Sequence, residues 1–588
     1  AQVHLQLFRM RGGDHLILAT SCLKRALGHC AQEAAPLPYA TLRFVMGGAA
    51  LERQSAAGIE EAITHYQSAL PIFRRENDLG ALRSCLSALG AAYRRLPTGD
   101  LEQHRKHALE AYSEALELCD RDTAPFDYAQ IQTSLGILYA TEHASVGLSG
   151  LEAAEAAFRA ALEIETPETV PERYANTQNA LGDAIRRLAG GRQERVREAI
   201  DCFKESLRYR SRELQPRKYA STLANLALAL ADSRERVADL RRADELFGEA
   251  YELLSSTDIH GAAHVLSSHA NLLSQAPFGE RSINTQRAIE LHHRAVALQQ
   301  SIGDLVGVSM SHNNLGTTYL RSTFGEPQES LERAVEHFEA ALELVTPASA
   351  PALFAMLKNN LGNAHIELSA HAARRPHLLR AVACITEGLR YRTRDRMPTQ
   401  FAIGMNALGL ALSKLERDPA AARGHFREAV EVAREQGSGA LCGAALVNLG
   451  NAAATPDEAV AAYQDALAIL TLEGFPAERA KALHALGQTL FNEARWEEAA
   501  KHWASCIDAQ AALYGRATSE ISRTSELAAA PHPYAERAYC LARLERFDEA
   551  LECLEAGRAR VLNDALADED LWRTDVDRAA VDAQRLLI

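Results

Sequence analysis

The sequence predicts an all-α chain, a right-handed superhelical solenoid of about eleven to twelve antiparallel helix pairs. Three observations carry this. A degraded motif, Asn359-Asn360-Leu361-Gly362-Asn363-Ala364, recurs with its glycine position at 90, 136, 182, 227, about 272, 316, 362, 409, 450 and 487, a period near 46 that tightens to about 40. Such self-similarity marks a repeat array. Between these copies runs a second column of Ala-x-x-x-aromatic-x-x-Ala, as in Ala62/Tyr66/Ala69, Ala108/Tyr112/Ala115, Ala154/Phe158/Ala161, Ala334/Phe338/Ala341 and Ala422/Phe426/Ala429. Spacings of three and four place these residues on one helical face, small where two helices touch and aromatic where a gap must be filled. Finally, 588 residues exceed one compact core, yet no shift in composition divides them into globular domains. A solenoid explains both, because each unit packs only on its neighbours.

Taken in order, residues 1–38 read as an N-terminal helical cap, with Leu16, Leu18, Leu23 and Leu27 roughly lining a face. From Tyr39 the pairs begin, each a helix A followed by a helix B. Residues 39–395 form a long-period array, 396–562 a nearly standard one, and 563–588 an acidic helical tail or a junction to a missing domain. Several A helices open with proline and an aromatic three residues on: Pro125/Tyr128, Pro171/Tyr174, Pro216/Tyr219, Pro351/Phe354 and Pro398/Phe401. Proline suits a first turn, where its missing N–H has no intrahelical acceptor to satisfy. Gly190-Gly191 and Gly325-Glu326-Pro327 read as loops between A and B.

Arg495-Trp496-Glu497-Glu498-Ala499-Ala500 and Arg546-Phe547-Asp548-Glu549-Ala550-Leu551 match the start of helix B in tetratricopeptide repeats, and Gly487 to Ala499 has that family's spacing. The array resembles that family. Its earlier copies depart from the consensus length, with extra residues between Gly182 and Ala199 and between Gly362 and Ala381.

A net charge of −14 argues against a general phosphate-backbone binder, which needs a basic face. Arg94-Arg95 and Arg186-Arg187 are local exceptions, read first as solvated or paired with nearby acids. Ten cysteines form no CxxC pair, and Cys202, Cys384 and Cys506 sit at apolar helical positions, the pattern of reduced thiols in a cytoplasmic protein. Leu16-Ile17-Leu18-Ala19 is too short for a signal-peptide core, and no stretch approaches the roughly twenty apolar residues of a membrane span.

In this family the A helices line the inner, concave wall. Leu361 and Gly362 are packing positions, so Asn359 and Asn363, four apart, should share an exposed face. Equivalent positions hold Asn179 and Asp183, Asn313 and Thr317, Asn406, Asn451 and Gln488. Primary amides donate and accept, so a ladder of them can pair with the backbone of an extended peptide whatever its side chains. That resembles how kinesin light chains hold peptide ligands. The other reading is that some of these amides cap or brace neighbouring helices, and it is preferred for a second column, Asn225, Asn271, Asn314, Asn360 and Asn448.

Catalytic patterns are weak. His260 and His264 have metal-ligand spacing on a helix and His269 is near, but no acidic partner completes a zinc-protease arrangement, and with 21 histidines coincidence is the better account. His292-His293 falls at the aromatic column and reads as core. No phosphate loop or nucleophile elbow appears, and nothing calls for a cofactor or a metal.

The stretch Ala550-Leu551-Glu552-Cys553-Leu554-Glu555-Ala556-Gly557-Arg558-Ala559-Arg560-Val561-Leu562 resembles the junction helix of bacterial TPR-CHAT proteins, where repeats hand over to a caspase-like protease. Leu389-Arg390-Tyr391-Arg392-Thr393-Arg394 before Pro398, and Leu207-Arg208-Tyr209-Arg210-Ser211-Arg212 before Pro216, resemble the long repeats of the same proteins. The protease itself needs a His-Gly at a strand end and a cysteine, and the one His-Gly, His260-Gly261, lies inside a repeat. The resemblance implies a non-catalytic arm that binds a protein or peptide and partners a caspase-like domain. Two alternatives stay open: part of a cysteine protease whose catalytic domain lies beyond this chain, or a freestanding regulator binding a small ligand or nucleic acid. An acidic charge and the lack of a helix-turn-helix module weaken the last.

Overall fold

In the computed structural model, the alanines of the repeated column are the most deeply buried positions: Ala62, Ala108, Ala154, Ala199, Ala243, Ala288, Ala334, Ala381 and Ala422 all show 0 % exposure. The structure describes residues 15–30, 32–53, 55–141, 148–190, 192–233, 237–276, 278–322, 326–415, 418–516 and 533–569. Residues 1–14, Gly191, Gly325 and the acidic tail from Asp570 on lie outside the described residues. Twenty-five helices and no strand occur among those described, an all-α array of helix pairs as the sequence predicts.

The chain divides into two compact units, Ala1–Glu235 and Arg236–Ile588. The first holds α1 (His15–Gly28), α2 (Pro36–Leu51), α3 (Ala56–Arg75), α4 (Leu79–Arg95), α5 (Leu101–Glu117), α6 (Pro125–Thr141), α7 (Leu148–Leu162), α8 (Pro171–Leu188), α9 (Gln193–Arg208) and α10 (Pro216–Ser233). The second opens with α11 (Val237–Leu254), α12 (Ile259–Ser274), α13 (Arg281–Ser301), α14 (Leu305–Leu320), α15 (Pro327–Leu344), α16 (Pro351–Leu368) and α17 (Arg374–Leu389). It continues with α18 (Pro398–Leu415), α19 (Pro419–Glu435), α20 (Gly439–Asn451), α21 (Pro456–Ile469), α22 (Pro476–Asn492), α23 (Trp496–Arg516), α24 (Tyr534–Arg543) and α25 (Phe547–Glu569). Within each unit, consecutive helices pack on one another.

The five sequence-marked prolines each open a helix. Three A helices without proline are capped by aspartate: Asp78 accepts from the Ala81 N–H at 3.0 Å, Asp258 from Gly261 at 3.0 Å and Asp304 from Gly307 at 2.8 Å. In α1, Leu23 is buried with Leu16 and Leu27 packed around it, but Leu18 points to solvent.

One contact explains both sequence columns. In most A helices the column glycine receives the ring from the paired B helix: a Cβ would lie 2.9 Å from the Tyr112 ring at Gly90, 2.7 Å from Phe338 at Gly316, 2.7 Å from Phe426 at Gly409 and 2.5 Å from Trp503 at Gly487. Real side chains do not approach so closely, so glycine is required for the ring to lie flat on the helix backbone. Burying each ring contributes roughly 1.5–3 kcal/mol. At Gly362 the ring is replaced by Ile385, whose Cγ1 would be 2.5 Å away.

Candidate binding face of the A helices

The A helices meet along a seam of small polar side chains. Asn179, Asn313, Asn359 and Asn406 stand eight residues in from the starts Pro171, Leu305, Pro351 and Pro398. The amides of the second column stand one residue further along the next A helix, and three bonds cross the seam: Asn225 Nδ2 donates to Asn179 Oδ1 at 3.2 Å, Asn360 to Asn313 at 2.8 Å and Asn448 to Asn406 at 3.0 Å. Hydroxyls do the same elsewhere, Thr133 with Thr177 and Ser267 with Ser311, both at 3.2 Å. For Asn225, Asn360 and Asn448 the bracing role is therefore observed.

The first column is deeper than its pattern suggested. Asn313 and Asn359 are each 6 % exposed, and Asn313 Nδ2 also donates to Asn314 at 3.3 Å. The structure thus pairs Asn179, Asn313 and Asn406 with neighbouring helices, while Asn359 Oδ1 is buried without a partner among the described residues. The residues one turn on lie closer to solvent. Asp183 is ion-paired with Arg186 at 3.0 Å, Thr317 bonds the Asn313 carbonyl at 2.9 Å, and Asn363 is half-buried. Asn451 is exposed and accepts from the Tyr463 hydroxyl at 2.7 Å, and Gln488 bonds Asn492 at 3.1 Å. Arg186 also reaches Asp232 at 3.1 Å, so this arginine, at least, is paired with acids.

A histidine cluster escaped the sequence reading. His312 and His337 bring their Nδ1 atoms to 3.1 Å, His293 sits edge-on to His337 at 5.9 Å, and Tyr319 stacks on it at 5.4 Å. Burial, then the neighbouring imidazoles, push His337 down to about 4. His292, fully buried in the aromatic column, is pushed down to about 3 by burial first. Next along, His365 and His377 meet at 3.1 Å, and burial followed by His377 holds His365 at about 4. His292, His337 and His365 are therefore neutral at physiological pH. His269 instead bonds Asp244 at 2.5 Å, and His260 is well exposed, 3.7 Å from Asp304. Among the described residues no group of three or more His, Cys, Asp or Glu side chains is placed to hold a metal ion. None of the helices described is long and apolar enough to cross a membrane.

Fold and seam together define a helical-repeat scaffold of tetratricopeptide-like pairs. No family model matches the sequence, and no curated protein matches it. Among solved structures it is similar to the human IFIT1 dimer with m7Gppp-AAAA, at 15 % identity and a TM-score of 0.40 over 80 % of this chain and 90 % of that one. It is also similar to a signal-transduction ATPase with a tetratricopeptide repeat sensor from Pyrococcus horikoshii, at 12 % identity and a TM-score of 0.40 over 62 % of this chain and 52 % of that one. BtubC from P. vanneervenii is 20 % identical, with a TM-score of 0.31, over 46 % of this chain and 93 % of that one.

Proposed function

We propose that this chain is a non-catalytic scaffold that binds a protein or peptide along the face lined by its A helices. The observation that carries the reading is the row of amides one turn beyond the seam: Asn363 and Gln488 are half-buried and Asn451 is exposed. Each can offer donors and acceptors to a peptide backbone while the seam beneath stays bonded. In its finer form the scaffold is the sensor or substrate-recruiting arm of a caspase-like CHAT protease, either attached or separate. What supports that form is the resemblance of the segment at 550–562 and of the two Leu-Arg-Tyr-Arg repeats. The array would then divide near residue 395 into long-period and standard parts, and a ligand would act by favouring one curvature of the array over another.

The test is selection of extended peptides from a displayed random library, followed by fluorescence anisotropy. The Asn363→Ala, Asn451→Ala, Gln488→Ala triple variant is expected to lose at least about tenfold in affinity, roughly one hydrogen bond's worth of free energy. Affinity unchanged in that variant would overturn the reading.

A further inference from the structure

The two Leu-Arg-Tyr-Arg stretches fold alike. Tyr209 meets Tyr174 edge-on at 5.6 Å, and Tyr391 meets Phe354 edge-on at the same distance. In each, the next arginine turns inward: Arg210 is 8 % exposed and Arg392 is 6 % exposed. Burying a guanidinium is costly unless its donors are met. In the first copy both terminal nitrogens are met, and Nε alone is left without a partner among the described residues. Arg210 donates to the Lys218 carbonyl at 2.8 Å, to Thr222 Oγ1, and to Asn176 Oδ1 at 2.9 Å. In the second copy the place of Thr222 is taken by Gly404 and that of Asn176 by Met356. The Arg392 side chain makes no hydrogen bond or ion pair among the described residues. Burial alone pulls its pKa down, with no carboxylate opposing, whereas Glu172 opposes the same effect on Arg210.

A second orphan lies at the same joint. Asn359 Oδ1 is the counterpart of Asn179 Oδ1, but the donor Asn225 is replaced by Ala407. The other position that supplies seam partners, six residues into the next A helix, is again Gly404. A Cβ there would lie 2.7 Å from Leu389 Cδ2 and 3.8 Å from Asn359 Oδ1. In the first copy the hydroxyl at this position, Thr222, accepts a hydrogen bond from the arginine, and in the second copy position 404 borders Leu389 and the asparagine. Elsewhere the two positions match in polarity. Thr177 bonds Glu165 at 2.7 Å and Ser311 bonds Gln299 at 2.7 Å, while Val345 is matched by the buried Leu357. Among the described residues, only where Arg392 precedes Gly404 does a buried polar group meet a residue with no polar side chain, and there the Leu389 side chain packs over the glycine.

We propose that this joint of α16, α17 and α18 binds a carboxylate with an amide N–H beside it, the carboxylate on the Arg392 guanidinium and the N–H on Asn359 Oδ1. A planar guanidinium fork matches a carboxylate, and an acceptor with no donor matches an N–H. Sulfate, which has only acceptor oxygens, would leave Asn359 unmet. An N-acylated amino acid and the C-terminal residue of a peptide both carry the required pair. The site deepens the peptide-binding reading and rests on it only in the second case.

The experiment follows the Tm of the full chain with N-acetylglycine, N-acetylglycinamide, sodium sulfate, and one extended peptide made with a free or an amidated C-terminus. N-acetylglycine is expected to give a saturable rise of about 2 °C near tenfold its Kd, with no such saturation for its amide or for sulfate. The Met356→Asn, Ala407→Asn double variant restores the two asparagine partners of the first copy, the counterparts of Asn176 and Asn225. It is expected to melt higher without ligand and to show no ligand shift, an outcome misfolding does not imitate. Arg392→Met should also abolish the shift. No shift in the parent chain, or an equal shift in the double variant, overturns the proposal. A response to the free-ended peptide assigns the site to peptide termini, and a response to N-acetylglycine alone assigns it to small acylated amino acids. Peptides that bind equally with either C-terminus and with Arg392→Met would overturn this site yet leave the scaffold reading intact.

Discussion

Replacing Asn360 with alanine removes the donor that meets Asn313 Oδ1 at 2.8 Å, at a position where Asn313 is 6 % exposed. A buried acceptor left without a donor costs about 1–3 kcal/mol. Asn313→Ala strips the partner from Asn360, but Asn360 is half-buried and can turn its amide to water, so about 0.5–1.5 kcal/mol is expected. With both removed there is no orphan, and the double variant should be less destabilised than the sum of the singles by about 1 kcal/mol. Urea unfolding followed by helical circular dichroism gives the totals. Because an array need not unfold in one step, amide exchange in α14 and α16 locates the effect. Single-variant costs that add to within about 0.3 kcal/mol would show that the seam bond carries no coupling and refute the reasoning.

Two further outcomes follow from the same structure. Acid should destabilise the second unit: His292, His337 and His365 titrate near 3, 4 and 4 in the fold, below the ordinary imidazole value, so the unfolded chain takes up protons first. Stability is then full above about pH 6.5 and falls toward pH 4 by up to roughly 1.4 kcal/mol per pH unit per buried ring, and a flat urea midpoint between pH 7 and 5 would contradict this. Phe338→Ala empties the place against Gly316 and should cost about 3–5 kcal/mol, whereas Gly316→Ala pushes a methyl to 2.7 Å from the ring and should cost about 1–3 kcal/mol, both read from urea midpoints.

The array was legible because its two columns answer one physical need. A ring lying on a bare backbone demands both a glycine and an aromatic, and that pair repeats through insertions in the loops. The asparagines were legible as columns but not as bonds: that Asn360 reaches Asn313, one register position apart on the next A helix, depends on the stagger between helices, which no single repeat encodes. This stagger also buries Asn313 and Asn359. The histidines were invisible for a related reason, since His293, His312 and His337 come from three successive helices and share no spacing. Arg392 carried a signal: set against its near-copy, the sequence already shows Thr222 and Asn176 replaced by Gly404 and Met356.

The ring-to-glycine contact works inside a pair, whereas the amide bond works between pairs, and this sets where the second unit would part under load. Pulled from its ends, an array of sturdy pairs yields at its weakest coupling, not at a random helix. Between α14 and α16, and between α18 and α20, an amide bond resists sliding of one A helix past the next. Between α16 and α18 the corresponding place is Ala407, and between α20 and α22 it is Ala485, so at these two joints one A helix can slide past the next without an amide brace.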